Sequence, residues 1–101
     1  GATLHYAELD GWAARLGAAL RADGLAPGER VGLLLTRSLA LPAALLGVWH
    51  GGGAFVPLDP EYPEARLRAM IADAGVRRVI VDEATRAQWG ELLALLRAIV
   101  A

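Results

Sequence analysis

His50-Gly51-Gly52-Gly53-Ala54-Phe55-Val56-Pro57-Leu58-Asp59-Pro60-Glu61-Tyr62-Pro63 decides how this chain is read. Three glycines lead into a short apolar run, and the run ends in an acidic turn bracketed by prolines. A phosphate-binding loop needs strand, then glycines, then a helix N-terminus, so that N–H groups and the positive dipole end face the anion. Here the order is reversed. The glycines follow a helix, whose C-terminal end is negative, and the chain contains no lysine. Gly51–Gly53 therefore reads as a structural turn that stops a helix and admits a close approach into a sheet.

Working outward, apolar runs alternate with helical stripes. Upstream, Leu9, Trp12, Ala13, Leu16, Ala19 and Leu20 follow the i, i+3, i+4 spacing of one buried helix face. Asp10, Arg15, Arg21 and Asp23 supply the opposite face, and Gly24 is a suitable stop. Pro27-Gly28 reads as a tight turn. Val31 to Leu35 is continuously apolar, as expected of a strand covered on both faces. Ser38 suits a helix cap, and Leu41, Leu45, Val48 and Trp49 form the next stripe. Downstream, Pro63 suits the first position of a helix bearing Leu67, Met70, Ile71 and Ala74 and stopped by Gly75. Val79 to Val81 centres a strand. Asp82 suits the cap of a last helix bearing Trp89, Leu92, Leu93, Leu96 and Val100. The spacing predicts strands at 31–35, 54–58 and 78–82, with helices at 7–23, 39–50, 63–74 and 84–99. That order implies an α/β fold: a parallel three-stranded sheet flanked by helices in three layers, with right-handed crossovers. Both sheet edges would be open.

With 101 residues, one domain or less is expected. Hydrophobic residues make up 55%, high for a small chain, so either the core is rich in Ala and Leu or apolar surface awaits a partner. The formal net charge of −1 argues against nucleic acid and anionic membranes as partners. The absence of cysteine excludes disulfides and thiolate chemistry. No apolar stretch reaches the ~20 residues of a spanning helix, and no basic region precedes an apolar N-terminal segment. The expectation is a cytoplasmic protein.

Ligands of open α/β sheets sit beyond the carboxyl ends of strands. Those ends carry Thr36-Arg37-Ser38, then Asp59-Pro60-Glu61-Tyr62, then Asp82-Glu83. Asp59 and Glu61 could be an acid/base pair, but a turn-ordering role for Asp59 and a solvated Glu61 fit better. Asp82 reads as a helix cap rather than a catalyst. His5 and His50 are the only histidines, and with no cysteine beside them a metal site would need carboxylates brought in by the fold. Trp12, Trp49 and Trp89 fall in apolar stripes and are expected in packing. No catalytic, cofactor-binding or metal residue is assigned.

The stretch from His50 to Asp59 resembles the second core motif of the amino-acid-activating adenylation domains of nonribosomal peptide synthetases, Leu-Lys-Ala-Gly-x-Ala-Tyr-Val-Pro-Leu-Asp. Leu4-His5-Tyr6-Ala7-Glu8-Leu9 resembles the first core motif, and Pro27 to Val31 and Pro63 to Leu67 also match the family. The resemblance covers about residues 3 to 82. It implies that residues 1–101 are the N-terminal segment of an incomplete adenylation domain, from the start of the large N-terminal subdomain. The family uses ATP and Mg²⁺ to form an acyl-adenylate and pyrophosphate, then loads the acyl group onto a carrier protein. The rest of the adenylation domain or megasynthase would be a partner. Two positions depart from the family: His5 stands where Thr or Ser is usual in a capping box with Glu8, and His50 stands where Lys is usual. The phosphate loop, acyl pocket and late catalytic lysine of the family have no counterpart here, so the segment alone is expected to be inactive. Two alternatives remain. One is a degenerate, non-catalytic remnant serving as a structural or docking module. The other is a different adenylate-forming ligase, which the amino-acid-like form of Ala54 to Pro60 argues against.

Overall fold

The computed structural model describes residues 6–36 and 40–101, Tyr6 by its backbone alone. The chain runs through α1 (Tyr6–Ala22), β1 (Arg30–Leu34), α2 (Ala40–His50), β2 (Ala54–Leu58), α3 (Glu64–Ala74), β3 (Arg78–Val81), α4 (Glu83–Gln88), α5 (Gly90–Leu93) and β4 (Arg97–Val100). The sheet is parallel throughout, in the order β2-β1-β3-β4. Val31 pairs in register with Phe55 on one side and Arg78 on the other, and Arg78 pairs with Arg97. The three strands read from the sequence are adjacent and parallel, each within a residue of its expected bounds.

The last helix is the correction. Instead of one helix over 84–99 there are two short helices and a fourth strand, so the sheet has four strands rather than three. Gly90, a poor helix former, follows the end of α4 at Trp89. The N–H groups of Leu95 and Leu96 close tight i−3 turns on Leu92 and Leu93 at 3.3 and 3.0 Å. Beyond them Ile99 and Val100, both β-branched, favour a strand, and Arg97 N–H donates to the Arg77 carbonyl at 2.9 Å to start the new ladder.

A core lies on each face of the sheet, giving the three layers. On one face α1 and α2 bring Leu16, Leu20, Ala43, Ala44 and Val48 against Val31, Leu33 and Ile80. On the other, α3 and α5 bring Leu67, Ile71, Leu92 and Leu93 against Leu34, Leu58, Val79 and Val81. β1 and β3, buried on both faces, explain their continuous apolar runs, while edge strand β2 is exposed over most of its length.

The buried stripe of α2 differs from the expected one. Ala40, Ala43, Ala44, Gly47 and Val48 face the core, while Trp49 is 74% exposed. The reason is the closeness of α1. A Cβ on Gly47 would lie 2.8 Å from the Leu16 Cβ and 3.2 Å from the Ala13 carbonyl oxygen, and one on Gly17 would lie 3.0 Å from the Gly47 carbonyl oxygen. Helices this close accept only small residues between them, and a bulky stripe cannot be the contact face. Trp12 and Trp89 do pack against the two cores, as expected.

Four charges join the amino ends of the strands. Arg78 donates Nε to Asp23 Oδ2 at 2.9 Å, Nη1 to Glu29 Oε2 at 2.5 Å and Nη2 to the Asp23 carbonyl at 2.5 Å. Arg97 adds Nε to Asp23 Oδ2 at 2.6 Å and Nη2 to Asp23 Oδ1. Asp23, expected on the solvent face of α1, instead ties the end of that helix to β3 and β4. The Arg97 hydrogen bond, joined by those of Arg78, outweighs desolvation and holds the Asp23 carboxyl down at about 2.

Two outcomes are expected. Gly47→Ala gains up to about 1 kcal/mol of helix propensity but overpacks a backbone contact, at a cost of about 1–3 kcal/mol. Urea unfolding should show a lower midpoint at unchanged slope. The depressed Asp23 pKa stabilises the fold above the ordinary value of 3.8, and that stability is lost as pH falls toward about 2. Melting temperatures measured from pH 6 to pH 2 should fall in that window, and Asp23→Asn should melt lower at pH 6 with a shallower fall.

Candidate functional site

The strand order creates a switch between β1 and β3: the chain leaves β1 in one direction and returns to β3 on its other side. In open α/β sheets ligands sit beyond the carboxyl ends at such a point. In this chain the point is bridged. Thr36 donates its N–H and its Oγ1 hydroxyl to Asp82 Oδ2 at 2.8 and 2.5 Å. Thr85 N–H donates to Asp82 Oδ1 at 2.9 Å, and Asp82 N–H donates to Thr85 Oγ1 at 3.1 Å, which completes a capping box on α4. Thr85, fully buried, also donates Oγ1 to the Leu34 carbonyl at 2.7 Å.

Asp82 is therefore the helix cap expected of it, and more. Burial opposes its charge, but the Thr36 hydroxyl and the Thr85 and Thr36 amides outweigh that and hold the carboxyl below the usual carboxylate range. Bonds that favour the charged form make Asp82 a weaker base than a free carboxylate. Its bond to Thr36 crosses 46 positions of sequence, and no local pattern announces it.

Asp59 also behaves as its turn requires. Its Oδ1 accepts the Glu61 N–H at 2.9 Å, and its carbonyl accepts the Tyr62 N–H at 3.0 Å. Both carboxylates are exposed, and no hydrogen bond joins them into a proton-sharing pair.

The glycine turn is internally satisfied. Gly51 N–H donates to Gly47 O at 2.9 Å, Gly52 N–H to Trp49 O at 3.0 Å and Gly53 N–H to Val48 O at 3.0 Å. Gly52, at φ 87°, takes the left-handed conformation that closes the helix. The Gly52 carbonyl accepts Gly28 N–H at 2.7 Å, tying the turn to the one before β1. With all three amides engaged, none is left to cradle a phosphate. His50 is exposed, its ring tilted 44° to that of Trp49, and its carbonyl accepts Arg21 Nη1 at 2.7 Å. Among the described residues no group of three or more His, Cys, Asp or Glu side chains is placed to hold a metal ion. Leu4, His5, Arg37 and Ser38 lie outside the described residues.

The carboxyl ends of β1 and β2 do border an open cleft of about 1090 Å³, walled by Leu35, Thr36, Leu41, Tyr62, Met70 and Trp89 among others. Arg66 lies 4.0 Å over the Tyr62 ring on one side, a cation–π contact. The Trp89 Nε1 donor is buried with no partner among the described residues. The lining also carries Asp59, Glu61 and Gln88. Sequence reading placed Met70 and Trp89 in helical stripes but could not bring them together, because they arrive from different elements. Among the described residues no helix is long and apolar enough to cross a membrane.

Comparison with known proteins agrees with the motifs. Residues 1–99 match the AMP-binding enzyme family. Over 84 residues the chain is 50% identical to AMB antimetabolite synthetase AmbB of Pseudomonas aeruginosa, covering 83% of this chain and 7% of that one. Over 83 residues it is 43% identical to a component of the plipastatin synthase of Bacillus subtilis, covering 81% of this chain and 2% of that one. Among solved structures, a nonribosomal peptide synthetase with alpha-methyl-L-serine-AMP bound superposes on 99% of this chain and 11% of its own, with a TM-score of 0.92 and 31% identity. The resemblance carried by His50 to Pro63 thus extends across nearly all of the sequence and fold, and the chain belongs to the AMP-binding enzyme family.

Proposed function

We propose that these residues form the opening part of the large N-terminal subdomain of an amino-acid-activating adenylation domain. The intact protein would join an amino acid carboxylate to the α-phosphorus of ATP, with Mg²⁺, releasing pyrophosphate. It would then pass the aminoacyl group from AMP to the thiol of a carrier protein. The observation that supports this reading is the superposition, at 31% identity, on a synthetase that holds an aminoacyl-AMP. It is reinforced by the amino-acid-type motif from Ala54 to Pro60.

Within that protein this segment serves as scaffold. At the ligand end of the sheet Asp82 is engaged on Thr36 and Thr85, and Asp59 on the Glu61 amide. Its amides in the glycine turn are engaged as well. The catalytic, nucleotide-binding and substrate-selecting groups would come from the rest of the domain.

The test is amino-acid-dependent exchange of pyrophosphate into ATP, measured on the longer synthetase that carries this segment and on the 101-residue chain by itself. Exchange is expected from the longer protein and none from the isolated chain, whose melting temperature should stay unchanged at millimolar ATP, since a ligand held only by the folded state raises it. Exchange by the isolated chain would overturn the scaffold role. A longer protein that folds but exchanges with no amino acid would instead be the degenerate, structural form of the domain.

A further inference from the structure

We propose that the groove between α3 and α5 docks an amphipathic helix bearing carboxylates, supplied by a neighbouring domain of the longer synthetase. The groove has a volume of about 390 Å³. Its floor is made by Ile71, Val76, Leu92 and Leu96, and Leu95 stands beside them with 73% of its surface exposed. Arg68 and Arg77 are the charged residues of the lining, and no acidic side chain joins them there.

The two arginines are not committed elsewhere. Successive side chains point to opposite faces where β3 begins. Arg78 turns toward α1 and is held by Asp23 and Glu29. Arg77 turns the other way, into the groove, and among the described residues it forms no ion pair. Arg68 has only an exposed contact of 3.6 Å with Glu64, one turn back, and exposed pairs of that kind contribute little. The carbonyls that end α3, which would repel an anion, are also engaged. Ala72 O accepts Gly75 N–H at 3.2 Å and Ile71 O accepts Val76 N–H at 3.0 Å. The lining is therefore apolar and positive, in a chain whose formal net charge is −1.

Shape and charge select the occupant. The groove is open, so it covers one side of whatever lies in it, whereas small-molecule sites enclose most of the ligand surface. An amphipathic helix offers one such side, with apolar residues at i, i+4 and i+7 laid into the groove. Carboxylates flanking that stripe would meet guanidinium groups whose fork matches them. A basic helix would be repelled by both arginines. Position fits as well. Val76 and Arg77 precede β3, and Leu95 and Leu96 precede β4, so the groove lies at the amino ends of the strands. An occupant there leaves the carboxyl ends, where ligands of such sheets sit, uncovered. The relatives have chain to supply it, since this segment spans 7% of one and 2% of another.

Photo-crosslinking in the longer synthetase tests this, with a benzophenone side chain placed at Leu95. It reads contact rather than chemistry, so a synthetase that adenylates no amino acid would still return a result. Mass spectrometry should map the cross-link to a helix rich in Asp and Glu outside the adenylation domain. Arg68→Glu combined with Arg77→Glu should lower the yield at least ~10-fold, because like charges then face each other across the contact. Both positions are exposed, so the melting temperature should stay within a few degrees and show that the loss is not unfolding. Added salt should lower the yield in the parent and not in the double variant. A cross-link to the same adenylation domain would overturn the proposal, and so would one to a second copy of the chain. A yield that ignores the charge reversal, or no cross-link at all, would overturn it too.

Discussion

β3 is held at both ends by side-chain bonds that reach across the fold, and the rest of the structure is arranged around that strand. Arg78 begins it and joins the end of α1, through Asp23, to the approach to β1, through Glu29. Asp82 follows it and fastens the exit of β1 through Thr36. Between these two points the strand pairs with β1 on one side and β4 on the other. Parallel pairing requires long crossovers, whose closure entropy opposes the register. Charge-assisted bonds at each end of the central pair counter that, since each is stronger and more directional than a neutral hydrogen bond.

The two faces of the sheet are packed on different terms. Where α1 crosses α2 the contact is made by Ala13, Leu16, Gly17, Ala43 and Gly47, and backbone approaches backbone. On the other face the layer is built from larger side chains, with Leu67, Ile71, Leu92 and Leu93 over Leu34, Val79 and Val81. Gly32 in β1 serves the larger-residue side, because a Cβ there would meet the Leu58 Cδ1 at 2.8 Å. The high share of Ala, Gly and Leu thus has a structural use: small residues bring two helices close, and branched ones fill the opposite layer.

How much of this was legible depends on distance along the chain. The turn at Gly51–Gly53, the Asp59 turn, the Asp82 cap and the stop at Gly75 follow from groups within a few residues of one another, and each was readable. The strands β1, β2 and β3 were readable because they are apolar on both faces. β4 was not. Leu92, Leu93, Leu96 and Val100 satisfy a helical stripe as well as they do two elements, and only the free edge of β3 makes the strand the better outcome. The exposure of Trp49 was hidden for a related reason: a stripe gives the apolar positions of a helix but not how near its neighbour lies. The Thr36–Asp82 bridge and the charge cluster around Asp23 and Glu29 join residues 46 or more positions apart, and periodicity carries no information at that range.

The division between the ends of the sheet bears on what the segment does. At the amino end, Asp23, Glu29, Arg78 and Arg97 are paired among themselves, which adds rigidity. At the carboxyl end, where a doubly wound sheet presents its ligand, Asp82 and Asp59 are used to hold loops. What remains facing the cleft is apolar wall with Tyr62 and Trp89, together with Glu61 and Gln88. The apolar part of such a wall can shape and desolvate a site. Under the proposed function, this segment would act as support for chemistry carried by the rest of the domain. The same bonds keep the strand ends fixed, so that residues supplied by the rest of the domain would meet a rigid boundary.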